Sequence, residues 1–263
     1  MSDLRFIVRT EWDDFAAYII QKNRFSLNNK WQRYIDYICR SAHKRKAIMR
    51  KGETLFRARM GSYRFKTPPW PNKWATLYPH PLHHKKMGAP PAILMREGRL
   101  NPKGITYLYL ATDEKTALRE CLPWVSAFVT VARFKLQQNI KILDLTTDMK
   151  KPPKKGGGWR SEEERVWFSL NNAFSEPVSP EKKVIDYIPT QYIAEVFKNN
   201  GWHGIKYKSS LSKTGCNIAL FNKKLAKVDK CCLHSISNIA LKSRRIGRWN
   251  TIDEIKQRPC VFY

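Results

Sequence analysis

The sequence predicts an α+β fold: a mixed β core with flanking helices, and a small N-terminal helical unit. Three observations lead there. Apolar residues recur at helical spacing only near the N-terminus and around position 195, short strand-forming runs are scattered between 54 and 221, and breaker-rich segments separate them. A chain of 263 residues with 42% hydrophobic and 12% aromatic content buries a proper core.

Charge narrows the functional classes. Forty-nine Lys and Arg against 22 Asp and Glu give a net charge of +27, which calls for an anionic partner: a nucleic acid, an acidic protein or a phosphorylated substrate. The six cysteines show no C-x-x-C pair and read as reduced thiols, with adjacent Cys231 and Cys232 in a packing role. No segment has the uninterrupted apolar length of a membrane span and the first residues lack a secretory core, so a cytoplasmic location with no membrane partner is expected.

In chain order, Thr10 is placed to cap a first helix, with Asp13 in the acidic position of a capping box and Trp12, Phe15, Ala16, Ile19 and Ile20 on one face. Trp31, Tyr34, Ile35, Ile38 and Cys39 repeat the pattern. These helices make a unit over 1–50, linked by the basic run 43–51 to a main domain over 51–225. A basic segment over 226–263 is expected to pack on or extend the core.

Strands are expected over 54–59, 107–111, 128–134, 140–145, 204–207 and 217–221. The Pro- and Trp-rich stretch 68–91 reads as loop; its His80, His83 and His84 lack a cysteine or carboxylate at ligand spacing, so no metal site is expected there. The stretch 150–160 reads as a basic loop, and its three glycines do not fit the P-loop pattern. Thr190 is placed to cap a helix carrying Ile193, Ala194 and Phe197 that closes at Gly201.

The stretch 98–120 is the working end. Tyr107, Tyr109 and Ala111 alternate with Leu108 and Leu110 on a strand, Thr112 is the expected N-cap of the next helix, and Pro123 stops that helix just after Glu120. A carboxylate there lies on the unfavourable end of the helix dipole.

Five ordered elements carry a resemblance: Leu55-Phe56-Arg57-Ala58-Arg59, Gly98-Arg99-Leu100-Asn101, Leu108-Tyr109-Leu110-Ala111, Ala117-Leu118-Arg119-Glu120, and a segment running from Gly204 through Ser209 and Asn217 to Phe221. Together they resemble the RES family, named for its arginine, glutamate and serine. The resemblance implies a diphtheria-toxin-like ADP-ribosyltransferase type of fold and an NAD-degrading activity of the kind found in toxin–antitoxin pairs. Carried onto this sequence, it implies that Arg57 and Arg99 hold a diphosphate, Tyr109 meets the nicotinamide end, Glu120 acts at the ribose and Ser209 orients the substrate. Arg59, Asn101 and Asn217, inside the same elements, are assigned to substrate binding.

The residue chemistry agrees with that substrate. Guanidinium forks suit a diphosphate, a tyrosine ring suits a flat heterocycle, and a carboxylate suits a ribose that becomes positive as its glycosidic bond breaks. NAD is the expected substrate, no further cofactor or metal is called for, and inorganic phosphate is a candidate co-substrate beside water or a macromolecule. An acidic antitoxin or regulatory protein is the expected partner. The rival reading from another class is a nucleic-acid-binding protein whose RES-like core is idle.

Overall fold

The computed structural model describes residues 12–66, 77–147, 161–177 and 183–240. Its centre is an eight-stranded mixed sheet formed by β1 (Lys46–Met49), β2 (Thr54–Met60), β5 (Leu108–Ala111), β6 (Phe128–Leu136), β7 (Ile140–Asp144), β8 (Gly204–Lys208), β9 (Cys216–Leu220) and β10 (Ala226–Ser235), in the order β1-β7-β8-β9-β5-β2-β6-β10. The β7–β8 pair is parallel and the others are antiparallel. A separate hairpin pairs β3 (Tyr63–Lys66) with β4 (Leu77–His80), so the stretch expected to be loop contains a strand.

Seven α-helices accompany the sheet among the described residues: α1 (Trp12–Gln21), α2 (Asn29–Ser41), α3 (His84–Met87), α4 (Glu114–Glu120), α5 (Glu162–Ser175), α6 (Lys183–Asp186) and α7 (Ile188–Asn199). None is long and apolar enough to cross a membrane.

Strand alternation sorts the apolar residues into two cores. Leu108, Leu110, Ile142, Ile218 and Leu220 meet Leu55, Phe134 and Leu136 in one; Tyr107, Leu143, Ile205, Tyr207 and Ala219 meet the helices in the other. The second core also contains Phe15, Ile19, Trp31, Tyr34 and Ile38, packed with Trp167, Phe174, Ile193 and Phe197. The N-terminal helices are therefore a layer of the main fold, which corrects their expected separation at residue 50. The amphipathic faces were readable, but the acceptor for them lies more than a hundred residues away.

The segments on either side of the main domain are also tied to it. The basic run 43–51 is docked: Arg45 donates to the Thr147 carbonyl at 2.9 Å and lies over the Trp167 ring, Lys44 pairs with Glu163 at 2.7 Å, and 46–49 is an edge strand. At the other end β10 pairs along β6 from Ala226 to Ser235, so this part of the 226–263 segment extends the sheet. The Thr10 cap and the basic stretches 150–160 and 242–248 lie outside the described residues.

Two helix starts differ by a few residues from expectation. Asp113, not Thr112, caps α4, accepting from the Thr116 amide at 2.8 Å, because Thr112 is still paired to β9 through both its amide and its hydroxyl. Thr190 lies inside α7, whose Pro189 occupies the first turn, and its hydroxyl donates to the Arg99 carbonyl at 2.6 Å.

Phe15 is fully buried at the junction of α1, α2 and α7. Phe15→Ala is expected to lower the unfolding free energy by about 3–5 kcal/mol in a single cooperative denaturation transition. An early transition confined to the N-terminal helices, with the remainder unchanged, would show an independent unit.

Candidate active site

The sheet is joined across its middle by a single register pair, Phe56 with Ala111, where β2 leaves β5. Beside that pair α4 packs against β2, β5 and β6. A cleft beside them, about 260 Å³, is lined by Phe56, Arg57, Ala58, Tyr109, Glu120, Cys121, Tyr207 and Asn217, among others.

Glu120 is the last residue of α4 and its carboxylate is held from the strand side. Oε1 accepts from Ser209 Oγ at 2.6 Å and from Asn217 Nδ2 at 2.7 Å. Ser209 is itself nearly buried; its hydroxyl accepts from the Leu211 amide at 3.2 Å and its own amide donates to the Gly215 carbonyl. Glu120 Oε2 has no hydrogen bond to any described residue. Ser209 thus positions the glutamate carboxylate.

Arg57 supplies the opposite charge. Its Nη1 is buried without a hydrogen-bond partner, and the guanidinium forms no salt bridge among the described residues. Burial, and then Arg59 two residues along the same strand, pull its pKa down to about 10. It stays cationic at neutral pH. An enclosed cation with an unused donor is what a bound anion would complete.

The G-R-x-N segment forms the wall behind Tyr109. The Tyr109 hydroxyl donates to Asn101 Oδ1 at 2.7 Å and accepts from the Leu100 amide at 3.1 Å. Asn101 is fully buried and donates through Nδ2 to the Arg96 and Pro102 carbonyls, so it builds the wall and does not touch a ligand. Gly98 is needed for close approach, since a Cβ there would lie 2.7 Å from Asn101 Oδ1 and 2.9 Å from the Tyr109 hydroxyl. Gln191 and Thr190 brace this segment by donating to the Gly98 and Arg99 carbonyls. With its hydroxyl committed, and burial pushing its ionisation far up, Tyr109 offers the cleft only its ring.

Two arginines assigned to substrate are placed elsewhere. Arg99 donates to the Ala173 and Glu176 carbonyls at the end of α5 and lies over Tyr187, because the last carbonyls of a helix lack internal donors. Arg59 donates to the Gly88 carbonyl at 2.9 Å and anchors the 81–91 segment. Neither lines the cleft.

Sequence reading missed Cys121, Tyr207 and Phe56 as lining residues. Burial raises the Cys121 thiol despite both arginines, which disfavours a thiolate nucleophile. Phe56 carried one usable signal, its place beside Arg57.

Removing the buried charge should separate stability from binding. Arg57→Met is expected to raise the unfolding free energy of the free protein by about 1–3 kcal/mol, the usual cost of an unsatisfied buried donor. Because the pKa of this cation is lowered on folding, that gain should hold at every pH below about 10 and fade above it. Denaturation curves at neutral pH in phosphate-free buffer check it; a variant less stable than the parent would mean that Arg57 has a stabilising partner.

A profile of the RES domain matches residues 55–241, a span that contains Arg57, Tyr109, Glu120, Ser209 and Asn217. Among solved structures, the crystal structure of the M. tuberculosis MbcT-MbcA toxin-antitoxin complex is similar with a TM-score of 0.41 and 11% identity, over 75% of this chain and 92% of that chain. No curated protein matches the sequence. With the profile spanning most of the chain and ending beyond β10, the chain belongs to the RES domain family.

Proposed function

We propose that this protein cleaves the bond between nicotinamide and ribose in NAD. The observation that carries the proposal is the pairing, in one cleft, of an enclosed unpartnered guanidinium with a carboxylate fixed through one oxygen and free through the other. NAD offers a diphosphate for the first and a ribose for the second.

Arg57 then meets a phosphate oxygen of the substrate, and the desolvation that lowers its pKa strengthens that contact. Tyr109 and Tyr207 supply flat apolar walls for the nicotinamide ring. As the C1′–N1 bond breaks, its electron pair leaves with nicotinamide, which changes from a cationic pyridinium to a neutral base and needs no general acid. Positive charge grows on the ribose. Glu120 Oε2 faces it, and the carboxylate is already oriented by Ser209 and Asn217, so no reorganisation is required during the step. The exposed carbonyl end of α4, unfavourable for a carboxylate, favours this developing cation.

An acceptor then attacks the anomeric carbon from the open side. Phosphate gives a phosphorylase and water a glycohydrolase; transfer to a macromolecule is the alternative. The family resemblance favours a toxic or effector role held in check by an antitoxin, and a net charge of +27 suits an acidic one.

Chromatographic identification of the products from NAD, with and without inorganic phosphate, tests the reaction. A glycohydrolase releases nicotinamide in both cases, whereas a phosphorylase releases it only with phosphate, together with a phosphorylated ADP-ribose. Glu120→Gln is expected to reduce the rate by about a hundredfold or more at unchanged fold. Wild-type turnover in that variant, or no nicotinamide from the parent protein under either condition, would remove the proposal.

A further inference from the structure

At the end of α4 remote from Glu120, three metal-competent side chains converge. Cys232 and His234, two apart on β10, share one face of the strand, while Cys231 turns the other way into the apolar core. Glu114 reaches them from the first turn of α4. Cys232 Sγ lies 3.3 Å from His234 Nε2, and His234 Nε2 lies 2.8 Å from Glu114 Oε1. All three donor atoms fall within 4.8 Å of one another, a clustering unmatched among the described residues.

The arrangement is unsuited to a proton relay. A Cys–His–carboxylate relay uses the two imidazole nitrogens in turn, one toward the thiol and the other toward the carboxylate. Here both Sγ and Oε1 address the same Nε2, which offers either one proton or one lone pair. Three donors gathered about one point, rather than strung in a chain, are the pattern of a chelate.

We propose that Glu114, Cys232 and His234 bind a divalent thiophilic cation, Zn(II) being the best fit. The set supplies one soft thiolate, one imidazole and one carboxylate, the donor types that zinc takes, and leaves a fourth tetrahedral position to solvent. Zinc bond lengths at a tetrahedral angle put such donors about 3.4–3.6 Å apart, so the Cys232–His234 pair is already close to that spacing and the His234–Glu114 pair has to open by about half an ångström. That motion falls on a partly exposed histidine, an exposed cysteine and a glutamate at a helix start. Binding ties α4 to the edge strand β10, two elements otherwise joined through β6. The site is separate from the cleft, and the inference does not rest on the proposed reaction.

The test uses the reduced full chain, stripped with a chelator and titrated with Zn(II) against a chromogenic competitor, with Co(II) as a spectroscopic probe. The expected result is one equivalent bound with a thiolate-to-cobalt charge-transfer band. Cys232→Ser and His234→Gln should each weaken Zn(II) binding at least about a hundredfold, and Cys232→Ser should remove the band. Cys231→Ser, which loses the neighbouring thiol on the other face, should leave affinity and band unchanged. Glu114→Gln, which keeps the helix start, should weaken binding with circular dichroism unaltered. A band that persists in Cys232→Ser, affinity equal in the parent and the Cys232→Ser/His234→Gln variant, or binding lost instead on replacing His80, His83 and His84 would each overturn the proposal.

Discussion

One register pair, Phe56 with Ala111, is the backbone link between the two halves of the sheet, and the apolar core that Leu55, Phe134 and Leu136 share with Leu108, Leu110 and Ile218 carries the rest of the union. Helix α4 packs against β2, β5 and β6, and it is tied down at its start by Asp113. Burial would raise the Asp113 carboxyl, but hydrogen bonds from Thr116 and Thr112, together with Arg119, hold it below its usual value. Gly215 is pressed against the same spot, where a Cβ would lie 1.7 Å from Thr116 Oγ1. The loop bearing Ser209 therefore closes onto α4 only with glycine at 215, which is how the serine reaches Glu120.

Charge in the cleft is arranged at some expense to stability. Elsewhere buried charge is matched: Asp144, almost fully buried, pairs with Lys206 at 2.9 Å and accepts from Thr146. Arg57 has no such match among the described residues and has a second arginine nearby. Residues that break local rules without local compensation concentrate at working sites. The wall behind Tyr109 obeys those rules instead, with each polar atom of Asn101 satisfied.

Legibility from sequence followed the range of the interactions. Strands β2, β5, β6, β7, β8 and β9 were readable because alternation and β-branched content are local, and the two faces of β5 were sorted correctly into two cores. The edge strands β1 and β10 were hidden by lysines, since an edge strand facing solvent carries charge at positions a central strand would fill with apolar residues. Helix α5 was passed over. Its apolar stripe is interrupted by Asn171 and Asn172.

For the site, residue identity was legible but role was not. Arg57, Tyr109, Glu120 and Asn217 lie together in the cleft. Asn101 was assigned to the ligand yet acts one layer behind it, on Tyr109, while Ser209 positions Glu120. Arg99 was assigned to the diphosphate and is committed to helix carbonyls. A motif marks which side chains matter; whether a donor meets a substrate or a backbone carbonyl depends on contacts across more than seventy residues.

The central claim is that the empty hydrogen-bonding capacity of Arg57 is reserved for an anionic ligand sharing a cleft with Glu120. Calorimetric titration of ADP-ribose into the Glu120→Gln protein, and into Glu120→Gln carrying Arg57→Met, measures this most directly. The account predicts saturable binding to the first and affinity lower by at least about tenfold in the second, as for loss of a charge-assisted hydrogen bond. Equal affinity in the two proteins would contradict it.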